Sequence, residues 1–216
     1  MRGSRYLLFL LWLAALGRPE ILDRVAVTAG KCVITQSDIL RDIRLSSLFN
    51  QTEPDFSSDA RRKTAERLVE RALIDNEMEI GRYPSPQPPE IEAALAALKK
   101  ERFPTGDAYR KALSRYGVRD EDVRLYLLQQ LAVSRFIDAR FGPAVQLLEA
   151  DARDYYSSTF RPKWENKEGK PAPPFDEVRA EIEEILRSER ADKLLDEWLK
   201  EAKSRTLIEF KSEAFQ

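Results

Sequence analysis

Three consecutive carboxylates, Asp120-Glu121-Asp122, could do acid–base chemistry. They follow Gly117 and precede an apolar run, however. That is where a helix cap and favourable first-turn charges belong, so capping is the role expected of them. Nothing in the chain completes a catalytic set around them. The sequence contains no histidine, which removes Ser-His-Asp and Cys-His nucleophiles, histidine general bases and histidine zinc sites. Gly30-Lys31 lacks the preceding glycine of a phosphate loop. Cys32 is the single cysteine, so no internal disulfide can form; its place in an apolar run predicts a buried small hydrophobe. No cofactor and no metal are expected. The chemistry left to this chain is binding.

The elements that would position a binding surface are mostly helical. Arg24–Thr28 and Cys32–Ile34 flank Ala29-Gly30-Lys31 and read as a β-hairpin. Two strands alone are marginal in water. The best third strand is Thr206–Phe210, so the two ends of the chain are expected to share one small sheet. Thr35, with Asp38 three residues on, opens a helix to about Phe49. Gln51–Ser58 is a polar loop. In the next helix Ala65, Leu68, Val69, Ala72, Leu73, Asn76 and Ile80 share one face, and Ile74 and Met78 form a second stripe. A helix apolar on two sides is clasped by neighbours or by a partner. The prolines of Tyr83–Pro89 break it. Helices are then predicted over Glu90–Phe103, Asp107–Tyr116 and Asp120–Arg140. Gly117 stops the second, and the third is apolar over more than half its circumference. A turn at Phe141-Gly142-Pro143 and a short helix over Leu147–Phe160 follow. A stripe from Phe175 to Ala202 predicts a final helix of about thirty residues, some 45 Å long.

The bulk numbers agree with a mainly α fold. Of 216 residues, 43% are hydrophobic and 34% charged, with only 8 glycines. The net charge of −1 supplies no field to gather nucleic acid or an anionic membrane. Arg61-Arg62-Lys63 reads as a solvated helix face. The start of the chain differs. Met1–Arg5 is basic, Tyr6–Leu16 is unbroken apolar, and Ala15-Leu16-Gly17 has the small-x-small form of a cleavage site. The run is too short to span a membrane, so residues 1–17 read as a secretory signal peptide, and the periplasm or another extracytoplasmic space as the destination. No stable membrane span is expected.

The order of these pieces resembles a known family. "RVAVTAGKCVITQSDILRDI", "RRKTAERLVERALIDNEMEIGR", "IEAALAALKKERFPTGDAYRKALSRYGVRDEDVRLYLLQQLAVSRFIDARF", "EADARDYYSSTF" and "PPFDEVRAEIEEILRSERADKLLDEWLKEAKSRTLIEF" occur in the order of the chaperone module of the SurA family of periplasmic parvulin-type proteins. That module is itself similar to the C-terminal chaperone domain of trigger factor. The resemblance covers roughly residues 21–211. It implies an elongated multi-helix module with a small sheet. Residues 18–83 and 144–216 would form a core lobe, and 84–143 a helical arm. In that family a prolyl-isomerase domain usually separates the "YY" helix from the "PPFDEV" helix. Here Arg161–Pro174 alone joins them, and the histidines of parvulin sites are absent, so no isomerase activity is carried over.

The function implied is an ATP-independent holdase for unfolded or nascent exported polypeptides, outer-membrane proteins among them. Client contacts are expected from Phe56, Met78, Tyr83, Phe103, Tyr109, Tyr126, Phe141, Tyr156 and Trp164, aromatic or soft side chains off the main stripes or near breaks. Tyr155 and Tyr156 point to different sides of a helix, leaving one available. The alternatives are a diverged prolyl isomerase and a dedicated partner of one fixed protein, docked through the Ile74/Met78 face or the arm. A homodimer is a further partner arrangement.

Overall fold

A computed structural model describes residues 23–215; the leader expected at residues 1–17 lies outside them. The fold is mainly α with one small antiparallel sheet. Strands β1 (Val25–Ala29) and β2 (Cys32–Thr35) form the hairpin, and Gly30 takes φ +58 in its two-residue turn. Strand β3 (Ile208–Phe210) pairs with β1, giving the order β2-β1-β3. Thr28 stands opposite Val33 on one side and Glu209 on the other. The Gly30 amide also donates to the Leu207 carbonyl at 3.0 Å. The two ends of the described chain therefore meet.

Helix α1 (Gln36–Asn50) starts at Thr35, whose hydroxyl accepts from the Asp38 amide (3.2 Å) while the Thr35 amide donates to the Asp38 carboxylate (3.0 Å). Helix α2 (Ser58–Gly81) is capped by Ser57. Helices α3 (Pro88–Arg102), α4 (Gly106–Tyr116) and α5 (Asp120–Arg140) follow. Gly117 closes α4 at φ +63. The Arg119 amide donates to Asp122 at 2.8 Å, and Asp120 accepts from the Tyr109 hydroxyl at 2.9 Å. The carboxylate triplet is occupied by capping and packing.

The second half departs from expectation at one place. Helix α6 (Glu149–Tyr155) does not stop at Phe160. It passes through a π turn, Tyr156–Phe160, into helix α7 (Arg161–Glu168), which Gly169 ends at φ +65. The Arg161 amide reaches back five residues to the Tyr156 carbonyl. This wider turn brings Pro162 to the start of the next helical segment, where its missing N–H leaves no bond unmade. The connection read as Arg161–Pro174 thus shrinks to Gly169–Pro174. Helix α8 (Phe175–Arg205) then runs for 31 residues.

Four apolar clusters lie along these helices. The first joins the sheet to α1, α2 and Phe215. The second joins Leu45 and Leu48 of α1 to α3, α4 and the first half of α5. The third brings Ile74 and Met78 of α2 against Phe136 of α5 and Ala191 and Leu199 of α8. The fourth folds α6 and the π turn onto Phe175, Val178 and Ile182 of α8. The Ile74/Met78 stripe is therefore clasped by helices of the same chain. It offers no face to the fixed partner imagined from sequence. Among the described residues no helix is long and apolar enough to cross a membrane.

Candidate functional site: an open cleft beside strand β2

The face of α2 that read as one stripe splits into two adjacent rows of i, i+4 spacing. Ala65, Val69 and Leu73 are buried in the first cluster. Leu68, which also packs against that cluster, lines a cleft of about 770 Å³ together with Ala72, Asn76 and Ile80. One helical step around the axis separates core from open surface. The other walls come from β2 (Cys32, Val33, Ile34), α1 (Asp38, Arg41, Asp42, Leu45) and α5 (Asp122, Leu125, Tyr126, Gln129).

Three of the cleft's apolar side chains are solvent-exposed, and each comes from a different element: Val33 at 52%, Ile80 at 72% and Leu125 at 56%. Ile80 and Leu125 belonged to the apolar faces expected to be interior. Both stand out of the core because, among the described residues, nothing packs over the cleft-facing side of α2 at Ile80 or of α5 at Leu125. Cys32 is also exposed rather than buried. It sits at the start of β2, beside the hairpin turn, and opens on the cleft.

The base of the cleft is ionic. Asp42, 5% exposed, accepts from Arg67 (3.1 Å) and Arg71 (3.1 Å), and Arg71 also donates to Gln129 (3.0 Å). The Arg71 guanidinium lies 5.6 Å from the centre of the Tyr126 ring. A buried acid with two arginines ties α1, α2 and α5 together; losing one partner would leave a charge without compensation. Sequence reading passed over this network. Its trace in the sequence is Arg67 and Arg71, one turn apart on α2.

At the other end Asp122 sits between Arg119 and the more distant Arg41 (3.9 Å). Burial opposes its charge, but hydrogen bonds from the Arg119 side chain and backbone outweigh it and hold the carboxyl below its usual range. Asp75 is shifted the other way. The cleft walls desolvate it, and Arg71 offsets this only in part. The Cys32 thiol is pushed up by burial, then by Asp75 and Asp38. A thiol in this setting is a poor nucleophile. Among the described residues no group of three or more Cys, Asp or Glu side chains could hold a metal ion.

The side chains proposed for client contact scatter. Tyr126 alone reaches the large cleft, half-buried and 4.8 Å from Phe49. Met78 and Tyr83 line a smaller cleft of about 330 Å³, which shares Asp75 and Glu79 with the large one. Met78, Tyr109 and Phe141 are buried in the second and third clusters, where they serve packing. Phe103 leans edge-on against Tyr109 at 5.3 Å. Tyr156 donates to the Pro173 carbonyl (2.8 Å), and Trp164 stacks on Phe160 at 5.7 Å. Phe56 is 40% exposed on the loop before α2, with Arg44 over its ring, away from the cleft. No protein-family model matches the sequence and no curated protein matches it, so the cleft stands on its own geometry.

Proposed function

We propose that the chain is an ATP-independent holdase that keeps unfolded exported polypeptides from aggregating in an extracytoplasmic compartment, by binding without chemistry. The observation that carries this reading is the convergence of Val33, Ile80 and Leu125, all exposed, on one open cleft. Apolar side chains gathered in a concavity mark a binding surface more often than the same residues scattered singly. The cleft is aliphatic and mixed in charge, which suits weak contacts with many sequences. Micromolar binding, about −8 kcal/mol, holds a client and still lets it go. The resemblance of the helical order to the SurA-type module supports the same reading, and so does the apolar run Tyr6–Leu16 as an export signal.

The test is suppression of aggregation. Several unrelated polypeptides, diluted from denaturant into an equimolar solution of the full chain, stay soluble if the proposal holds. Light scattering that rises as fast as without the chain, for all of them, sinks it.

A further inference from the structure

Val33 and its two neighbours all line the cleft, and that fixes how the strand meets it. Successive side chains of a strand point to opposite faces of the sheet. A cavity touched by Cys32, Val33 and Ile34 alike therefore runs along the edge of β2. In the order β2-β1-β3 that edge carries no strand among the described residues. The register says which groups it offers. Ala29 and Cys32 flank the two-residue turn and form its hydrogen-bonded pair. The next pair, Thr28 and Val33, is then non-bonded, so the Val33 N–H and C=O point away from β1 and into the cleft. Natural sheets usually blunt such an edge with charge, proline or a covering element. Here an exposed valine occupies it.

The charges around the edge are unequal. Asp38, Asp42 and Asp122 are engaged by arginines. Asp75 and Glu79, one turn apart on α2 and flanking Asn76, line the cleft without an ion pair among the described residues. Lys31, at the hairpin turn, is the one cation of the lining in the same condition. The α2 wall is therefore complementary to a cationic side chain.

We infer that β2 takes up an extended segment of the bound polypeptide as an added strand, and that the favoured segment alternates aliphatic with basic residues. The inference rests on the holdase reading and adds to it a mode and a preference. Main-chain bonds to Val33 supply sequence-tolerant affinity, as in other strand additions. Aliphatic side chains on one face of the segment meet Ile80 and Leu125, while lysines or arginines reach Asp75 and Glu79.

The experiment uses the full chain and fluorescent nine-residue peptides alternating Val with Lys or Val with Glu. The Val-Lys peptide is expected to bind at least about tenfold tighter than Val-Glu, and D75N/E79Q to narrow that ratio, since every tenfold is a small part of a micromolar affinity. N-methylation of every second peptide amide blocks one edge of the peptide only. One methylated register is expected to lose roughly tenfold or more, and the other to bind as the parent. The variant V33P removes the outward donor at a position where an edge strand tolerates proline; it should lose the parent peptide to a similar degree while circular dichroism stays unchanged. If V33P unfolds, the methylated pair decides alone. Equal binding of both registers, or no preference for lysine, overturns the inference. If unfolded clients are still kept soluble in that case, the holdase reading survives without it. Register-specific binding with no effect on aggregation leaves strand addition standing and removes the holdase. A concentration-dependent dimer that V33P abolishes, with no peptide bound, makes a second copy the occupant and overturns the peptide.

Discussion

The helical hairpin of α6, α7 and α8 and the cleft beside β2 are both built from amphipathic pieces, yet one is closed and the other open. In the hairpin, Tyr156, Phe160 and Trp164 stack in sequence and Phe175 meets Tyr156 edge-on at 5.7 Å. Arg153 covers Phe175 at 4.5 Å. In the cleft the three exposed apolar side chains, Val33, Ile80 and Leu125, are aliphatic and come from separate elements. Aromatic content is thus a poor guide to where this molecule can bind. Rings at helical spacing find each other and close. Single aliphatic residues left beside an unpaired strand edge stay available.

The sharpest way to break this contrast is to weaken the closed region. Phe160→Ala should cost about 3–5 kcal/mol of stability by removing a ring held between Tyr156 and Trp164, read by denaturant unfolding. At temperatures where the variant remains folded, client binding should be unchanged; a parallel loss would mean that the hairpin also binds. The reverse variant, I80D/L125D, should reduce aggregation suppression about tenfold while stability stays within roughly 0.5 kcal/mol, because both positions are exposed. Suppression at the wild-type level would place the client elsewhere.

Asp122 sharpens the comparison at the cleft's end. Asp122→Asn should destabilise by about 1 kcal/mol near neutral pH through loss of the charged cap. The folded-state carboxyl is held below its unfolded value, so its contribution is present above about pH 4 and fades as the pH falls through the lowered value. Wild type and variant should therefore converge in acid unfolding curves, and a gap that persists at the lowest pH would contradict the assignment. The smallest effect concerns Cys32. A small maleimide should label the native chain fully, since the thiol is exposed. It should do so more slowly near pH 7 than an unfolded control, because the cleft walls partly desolvate the thiol, and Asp75 and Asp38 nearby further disfavour the thiolate. A rate faster than the control's would reverse that reading.

Much of the fold was legible because local rules agreed with one another. Thr35 with Asp38, Gly117 after α4, and Gly30 in the hairpin each sit where backbone geometry demands them. That a last strand joins the hairpin was readable because two strands alone are marginal and Thr206–Phe210 was the remaining β-branched and aromatic run; that it pairs with β1 and not β2 was not. Pro162 misled because proline is a helix stop only where its missing N–H would be needed, and a π turn removes that need. The site was legible only in fragments. Ile80 and Leu125 obey the helical period, and period alone does not say whether anything arrives to cover a residue. Cys32 failed for the same reason. The Asp42–Arg67–Arg71 network joins residues from two helices whose meeting no local pattern announces.

The pairing of β1 with β3 also sets a schedule. Every wall of the cleft lies between residues 31 and 129, but the sheet that holds β2 in place is completed by residues 208–210. Contacts so far apart in the chain form late. Until they do, β1 presents a bare edge of its own on the side of the hairpin opposite that of β2, so a partly synthesised molecule would be greedier for stray polypeptide, its own included, than the finished one.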